Sequence, residues 1–173
     1  MALANLAVLL SRARKKVLCI DWDLEAPGLD RYFRAVPQSK PEQAPSLSLP
    51  AKKGGLLSII ETSSPSRLAP WRDYVVTRVG FDGNAIDVIG SGDDSAGYSS
   101  LLSTFTWAEY FAGRQGGEII ERLRTEWKAA YDFVLVDSRT GLTDASGICT
   151  IRAWRSGRAA GLAPCARGIR QLA

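Results

Sequence analysis

The sequence predicts an α/β domain with a parallel β-sheet and flanking helices, and three observations lead to this prediction. Short apolar runs typical of fully buried parallel strands occur three times, at Lys16–Ile20 (KVLCI), Ala85–Ile89 (AIDVI) and Phe133–Val136 (FVLV). The segments between them carry helical spacing, and strands that alternate with helices indicate a parallel sheet. The chain has 173 residues, 46% of them hydrophobic, which is enough for one domain with its own core.

The first part of the chain is predicted to run from a buried helix into a strand and then a loop. Ala2–Ala13 is rich in Ala and Leu on nearly every side, as expected of a helix packed against a sheet. Lys16–Ile20 follows as the first strand. Residues 21–33 are expected to form a loop that passes into a short helix. Residues 34–53 hold four prolines and are predicted to form a surface loop.

The remaining elements are predicted in the same way. Gly54–Glu61 is a candidate for a brief helix, and the strand Ala85–Ile89 ends in a flexible segment, GSGDDSAGYSS, at residues 90–100. Trp107–Tyr131 has helical spacing that three glycines are expected to break in two; they are Gly113, Gly116 and Gly117. The third strand, Phe133–Val136, is closed by Asp137.

Four aromatic residues admit two interpretations; they are Trp71, Trp107, Tyr110 and Phe111. They mark either a partner surface or packing against the core. Large aromatic side chains are usually well buried in soluble domains, so the second interpretation is favoured.

Composition excludes several classes of function. The sequence has no histidine, which removes Ser-His-Asp and Cys-His catalysis and deprives zinc of its commonest ligand. Its three cysteines lack metal-ligand spacing and suit a reducing cytoplasm. No apolar stretch is long enough to predict a membrane span. The apolar N-terminus precedes its basic residues, the wrong order for a secretory signal, so a cytoplasmic protein is expected.

The net charge of +4 is concentrated in the last segment. Residues 151–173 contain five arginines and no acid, which leaves 17 basic and 18 acidic residues in positions 1–150. The chain is therefore divided into a domain at 1–150 and an Arg/Ala/Gly-rich tail at 151–173 that is expected to be disordered. No specific recognition of nucleic acid is predicted, because the basic residues do not follow a structured face.

Acidic residues follow two of the predicted strands. Asp21 and Asp23 lie in the segment DWDLEAPG directly after the first strand, and Asp137 begins DSRTG after the third. Ligands of parallel sheets bind beyond the carboxyl ends of the strands, so carboxylates there can reach a bound Mg²⁺. The backbone N–H groups of Thr140 and Gly141 can approach a terminal phosphate. Two alternatives stay open: solvated acids at a strand end, and an Asp137 that caps a turn.

These segments resemble the ParA/MinD-like P-loop ATPases, which have a deviant phosphate-binding loop. Residues 1–33 are similar to the helix, second strand and first switch of a bacterial branch that contains KGGxGR-[ST]-MALAN, and residues 131–150 are similar to its Walker B strand and second switch. The resemblance implies a partial, Rossmann-like P-loop NTPase fold. It also implies ATP and Mg²⁺ as cofactors, an ATP-dependent homodimer, and regulatory or effector modules as partners.

The resemblance assigns roles to individual residues. Asp23 corresponds to the catalytic switch carboxylate that positions or activates the attacking water. Asp21 corresponds to the acid next to the Mg²⁺ site, and Asp137 to the Walker B acid that holds the metal. Thr140 and Gly141 correspond to the switch near the γ-phosphate.

The sequence also departs from this family. The KGGxGR loop would lie just before Met1. Both this loop and the first strand, which is central in the family's sheet, are absent, and we expect marginal folding as a result. Lys52–Gly55 (KKGG) is rejected as a replacement because it lacks Gly-Lys-[ST] and follows no buried strand. Arg14 occupies a position where the family has Gly. The resemblance ends after Thr150, and a shifted reading frame is the hypothesis for the tail.

These observations predict a fragment of a regulatory ATPase that is inactive without its phosphate loop. Two alternatives are retained: a non-catalytic interaction fragment, and a weak nucleic-acid binder that acts through the basic tail.

Overall fold

A computed structural model describes residues 2–34, 54–79, 84–92 and 96–138. The tail at 151–173 lies outside these ranges, as does the predicted loop at 34–53 apart from Arg34, which ends a helix. The chain forms a mixed α/β fold with a short 3₁₀ helix at Trp71–Tyr74 and the following helices and strands: α1 (Ala2–Arg12), β1 (Val17–Asp21), α2 (Leu29–Arg34), α3 (Leu56–Thr62), β2 (Val76–Val79), β3 (Ala85–Ile89), α4 (Ala96–Thr104), α5 (Trp107–Gly113), α6 (Gly116–Ala130) and β4 (Phe133–Asp137).

The four strands form one sheet in the order β2-β3-β1-β4. The predicted strands β1, β3 and β4 are confirmed, and β1 runs parallel to both β3 and β4. All five residues of β1 are buried, because it is a central strand and apolar clusters cover both faces of the sheet. The four described strands thus form one continuous sheet, in which β4 is an edge strand.

Three elements were not predicted from the sequence, and the 3₁₀ helix at Trp71–Tyr74 is one of them. Strand β2 pairs with β3 in an antiparallel register, with Val76 opposite Val88. The prediction that residues 90–100 are flexible is wrong for residues 96–100, because they belong to α4, which begins at Ala96. Tyr98 of α4 donates its hydroxyl hydrogen to the Leu24 carbonyl at 2.7 Å. Tertiary contacts of this kind stabilise a helix that a Gly- and Ser-containing sequence does not favour by itself.

The two faces of the sheet carry separate apolar clusters. Along β1 the side chains alternate: Leu18 and Ile20 join the cluster formed by α3, α6 and the aromatic residues, whereas Val17 and Cys19 join the cluster formed by α1 and α2. This alternation is the period of two expected of a strand. No helix within the described ranges is both long enough and apolar enough to cross a membrane.

The aromatic residues belong to the first of these clusters, as expected. Trp71 and Tyr110 are buried, and Trp107 and Phe111 pack against the cluster while half-buried. The long helical segment is divided into α5 and α6, as the three glycines predicted.

The turn between α1 and β1 contains a strained residue. Arg14 has φ 61°, in the left-handed region that favours glycine. Its N–H donates to the Ser11 carbonyl at 2.9 Å and the Lys15 N–H donates to the Leu10 carbonyl at 3.1 Å. This pair of bonds is the Schellman pattern that ends a helix, in which the left-handed position is usually Gly. Arg14 therefore adopts the backbone that the resemblance assigns to a glycine.

We expect Arg14→Gly to raise the free energy of unfolding by about 0.5–1 kcal/mol. Relief of left-handed strain contributes about 1–2 kcal/mol, and the greater freedom of glycine in the unfolded chain offsets part of it. Chemical denaturation of both proteins measures the difference. An Arg14→Gly protein that is less stable than the parent would show that this backbone is not strained.

Candidate functional site

The acids predicted from the sequence meet at one edge of the sheet. Asp21 is the last residue of β1 and Asp137 the last of β4, and the two lie opposite each other in the parallel register. The Trp22 N–H donates to the Asp137 carbonyl at 2.7 Å, which continues the pairing one residue beyond β1. The carboxyl ends of these neighbouring strands therefore carry two carboxylates side by side.

The Asp21 carboxylate organises the loop that follows β1. It is 2% exposed. Its Oδ1 accepts the Asp23 N–H at 3.2 Å, and its Oδ2 accepts the N–H groups of Gly28 and Leu29, each at 3.1 Å. The bonds to Gly28 and Leu29 fix the start of α2. Burial raises the pKa of Asp21, the three backbone hydrogen bonds oppose that shift, and the nearby Asp137 charge adds to it.

Asp23 is presented at the surface by the burial of its two neighbours. Trp22 and Leu24 lie in the core with exposures of 4% and 5%. Trp22 stacks on Trp107 at a ring-centroid distance of 5.9 Å, and Tyr98 binds the Leu24 carbonyl. Asp23 lies half-buried between them, and its Oδ1 accepts the Ala26 N–H at 3.0 Å. The sequence had given no sign that Tyr98 and Trp107 support this loop.

The Asp137 carboxylate lies in a partly desolvated position next to Asp23. Burial raises the pKa of Asp137, and the negative charge of Asp23 is the next largest cause. Asp137 also raises the pKa of Asp21. The three acids thus lie near one another at the carboxyl edge, although their sequence positions span more than one hundred residues.

These acids fit a magnesium ion of the kind found in nucleotide sites. Among the residues that the structure describes, no group of three His, Cys, Asp or Glu side chains is arranged as a complete metal site. Magnesium at phosphate-binding sites usually takes one or two carboxylates, with phosphate and water as its other ligands. Asp23 and Asp137 meet that need, because a cation near them would relieve their mutual repulsion. Both oxygens of Asp21 already accept N–H groups, so Asp21 suits a place beside such an ion.

Neutralising Asp137 is expected to stabilise the protein at neutral pH. Because the pKa of Asp137 is raised in the folded state, its charge lowers stability above the unfolded pKa, and that cost disappears as the pH falls through the folded pKa. Asp137→Asn should therefore melt at a higher temperature than the parent at pH 7, with a smaller difference in acid. Thermal melts over a pH series measure this, with Asp73→Asn as an exposed control. A lower melting temperature for Asp137→Asn at neutral pH would contradict the assignment.

The phosphate side of the predicted site is described only in part. Thr140 and Gly141 lie outside the described residues. The rejection of Lys52–Gly55 gains a physical reason, since the first N–H groups of α3 are already used: Leu56 donates to the Gly90 carbonyl at 2.7 Å and Leu57 to the Ser91 carbonyl at 3.0 Å. The sequence contains one Lys-Gly-Gly segment, at residues 53–55, and Leu57 stands where the loop needs its third glycine.

Cys19 lies beneath the site and is a packing residue. Its side chain is buried in β1. Burial, followed by the charges of Asp137 and Asp87, raises the pKa of this thiol to about 12. A thiol with such a pKa stays protonated at neutral pH and is a poor nucleophile.

No protein family model matches the chain, and no curated protein matches it. Among solved structures, it is similar to the chimerical protein CapA2B2 (21% identity, TM-score 0.49, 87% of this chain and 51% of that one). It is also similar to the BceF tyrosine kinase domain (24%, 0.48, 87% and 46%). A further similar structure is the kinase domain of the Escherichia coli tyrosine kinase ETK (18%, 0.41, 85% and 52%). The chain spans about half the length of these structures.

Proposed function

We propose that this chain is part of a ParA/MinD-like P-loop ATPase and forms the magnesium side of its nucleotide site. The observation that carries the proposal is the meeting of Asp21, Asp23 and Asp137 at the carboxyl ends of adjacent parallel strands. This edge is where open α/β sheets bind their ligands. The sequence resemblance assigns the same three acids to an ATP-Mg²⁺ site.

Each acid has a distinct proposed role. Asp137 holds the cation, which when bound neutralises charge on the phosphates. Asp23 is the carboxylate that faces solvent, and it orients the attacking water and accepts its proton. Asp21 is a positioning residue: its hydrogen bonds to three backbone N–H groups keep Asp23 at a fixed place relative to Asp137. Thr140 and Gly141 are proposed to contact the terminal phosphate through their N–H groups.

The 173 residues contain no segment of the kind that forms the phosphate-binding loop in this class. Phosphate binding in this class needs successive loop N–H groups, a helix N-terminus and a lysine, and no Lys-Gly-Gly-x-Gly segment occurs in the sequence. We therefore expect no ATP hydrolysis by the 173-residue chain. We call the chain preceded by a strand and a KGGxGR-[ST] loop the loop-extended chain, and expect it to hydrolyse ATP.

Phosphate release with Mg²⁺-ATP tests the proposal in both proteins. The expected result is turnover by the loop-extended chain and none by the 173-residue chain. Loop lysine→Ala in the extended chain is the control for contaminating ATPases. Micromolar binding of Mg²⁺-ATP by the 173-residue chain would contradict the role of the missing loop. A folded loop-extended chain that does not bind Mg²⁺-ATP would contradict the family proposal itself.

The wider function follows the same resemblance. We propose a cytoplasmic regulatory ATPase that dimerises with ATP and acts through attached or partner modules. Light scattering of the loop-extended chain with and without Mg²⁺-ATP tests the dimer, and a monomer under both conditions would exclude it.

A further inference from the structure

A cavity lies at the amino ends of β1 and β3, at the opposite end of these strands from the three acids. It has a volume of about 530 Å³ and is bordered by the turn before β1, the residues that begin β3, the segment before β4 and the 3₁₀ helix. Val17 begins β1 here, whereas Asp21 ends β1 at the acidic site. Four residue steps along a strand separate the two ends by about 13 Å.

Four of the eleven residues described as lining this cavity are cationic. Arg14, Lys15, Lys16 and Arg72 border it, with Asp87 as the acid among the lining residues. The Asp87 carboxylate accepts the hydroxyl groups of Thr77 at 2.6 Å and Tyr131 at 2.8 Å.

The cations themselves have no acidic partner in the described part of the chain. The salt bridges found there join other residues, Arg114 with Glu61 and Arg124 with Glu121. Asp132 lies close by, but its Oδ2 accepts the backbone N–H of Lys16 at 2.8 Å. Four positive side chains therefore share one concave surface, and the two described carboxylates near it, Asp87 and Asp132, are already hydrogen-bonded.

Two of the cations are held in place by the backbone or by packing. Arg14 occupies the left-handed position described above, at a cost that glycine would avoid. The Arg72 guanidinium lies 4.3 Å from the centre of the Trp71 ring, and Trp71 is buried. Strained residues that persist in a fold often serve a site. Here the strain sets an arginine at the rim of a cationic cavity.

We propose that this cavity binds a small polyanion with two or more adjacent phosphate groups, such as a polyphosphate or a diphosphate ester. Several cations that have no ion-pair partner among the described residues surround one cavity and match several charges on one ligand, and guanidinium groups bind phosphate oxygens in pairs. A cavity of this size accommodates a small ligand rather than a macromolecule. The site is separate from the proposed ATP site, and the acids at the carboxyl edge take no part in it.

Calorimetric titration of the full 173-residue chain with sodium pyrophosphate at low ionic strength tests the proposal. Arg14→Gly and Arg72→Gln should each weaken binding about tenfold, as expected for one charge-assisted hydrogen bond. Arg14→Lys retains the charge but not the paired hydrogen bonds of the guanidinium, so its affinity should fall between those of the parent and Arg14→Gly. Arg67→Gln removes an exposed arginine elsewhere and should leave the affinity unchanged. Because Arg14→Gly is expected to be more stable than the parent, its loss of binding would not come from unfolding.

Three results would overturn the proposal. The first is no binding of pyrophosphate by the parent chain. The second is equal weakening by Arg67→Gln, which would show attraction to net charge alone. The third is full affinity in both Arg14→Gly and Arg72→Gln.

Discussion

Asp23→Asn is expected to lower the rate of ATP hydrolysis by the loop-extended chain by about 10²–10⁴-fold, the usual contribution of a positioned acid or base. Asn has the same size but cannot accept a proton from the attacking water. Binding of Mg²⁺-ATP should change much less than the rate, because Asp137 remains in place. Steady-state phosphate release, together with a nucleotide titration, separates the two effects.

Glu25→Gln is the matched control for this experiment. Glu25 is an exposed carboxylate two residues along the same loop, so its replacement removes the same charge from the same segment. It should retain the parent rate within a few-fold. Equal loss in Glu25→Gln and Asp23→Asn would assign the effect to the charge of the loop and would remove Asp23 from its proposed role.

The second large effect is on stability. Asp21→Ala is expected to lower the free energy of unfolding by about 2–4 kcal/mol, because the N–H groups of Asp23, Gly28 and Leu29 lose their acceptor. Removal of a buried charge offsets part of this loss, since burial raises the pKa of Asp21. Denaturant unfolding at neutral pH gives the difference between the parent and the variant.

Asp21→Asn provides a graded comparison. Its amide keeps one acceptor oxygen and buries no charge, so the expected loss is smaller, about 1 kcal/mol. In the loop-extended chain, Asp21→Asn should lower the rate through misplacement of Asp23. An Asp21→Ala protein as stable as the parent would show that the three bonds do not hold the loop.

The strands of the sheet could be predicted because their signal is local. Val17–Asp21, Ala85–Ile89 and Phe133–Asp137 are short apolar runs, and a strand buried on both faces needs little else. Strand β2 and helix α4 depend on distant partners: Val76 on its pairing with Val88, and Tyr98 on the Leu24 carbonyl. Such contacts have no signature within the segment itself.

The candidate site, like the fold, could be predicted from the sequence only in part. The positions of Asp21, Asp23 and Asp137 followed from the rule that parallel strands present their carboxyl ends at one edge. The inward orientation of Asp21 did not follow, because it depends on Gly28 and Leu29 folding back over β1. The cationic cavity was not predicted either, since Arg72 lines the same cavity as Arg14 only because the 3₁₀ helix packs on α6 through Trp71 and Trp127.

The most direct test of the shared acidic site uses Mn²⁺ as a paramagnetic substitute for Mg²⁺. Added to the isotope-labelled 173-residue chain, Mn²⁺ should broaden the backbone NMR signals of residues 22–28 and of Asp137 and Ser138 first. Signals at the opposite edge, from Lys15 to Val17, should be affected least, and Asp137→Asn should weaken the broadening at residues 22–28. Broadening that reaches only one of the two segments, or that is centred elsewhere, would contradict a common cation site for Asp23 and Asp137.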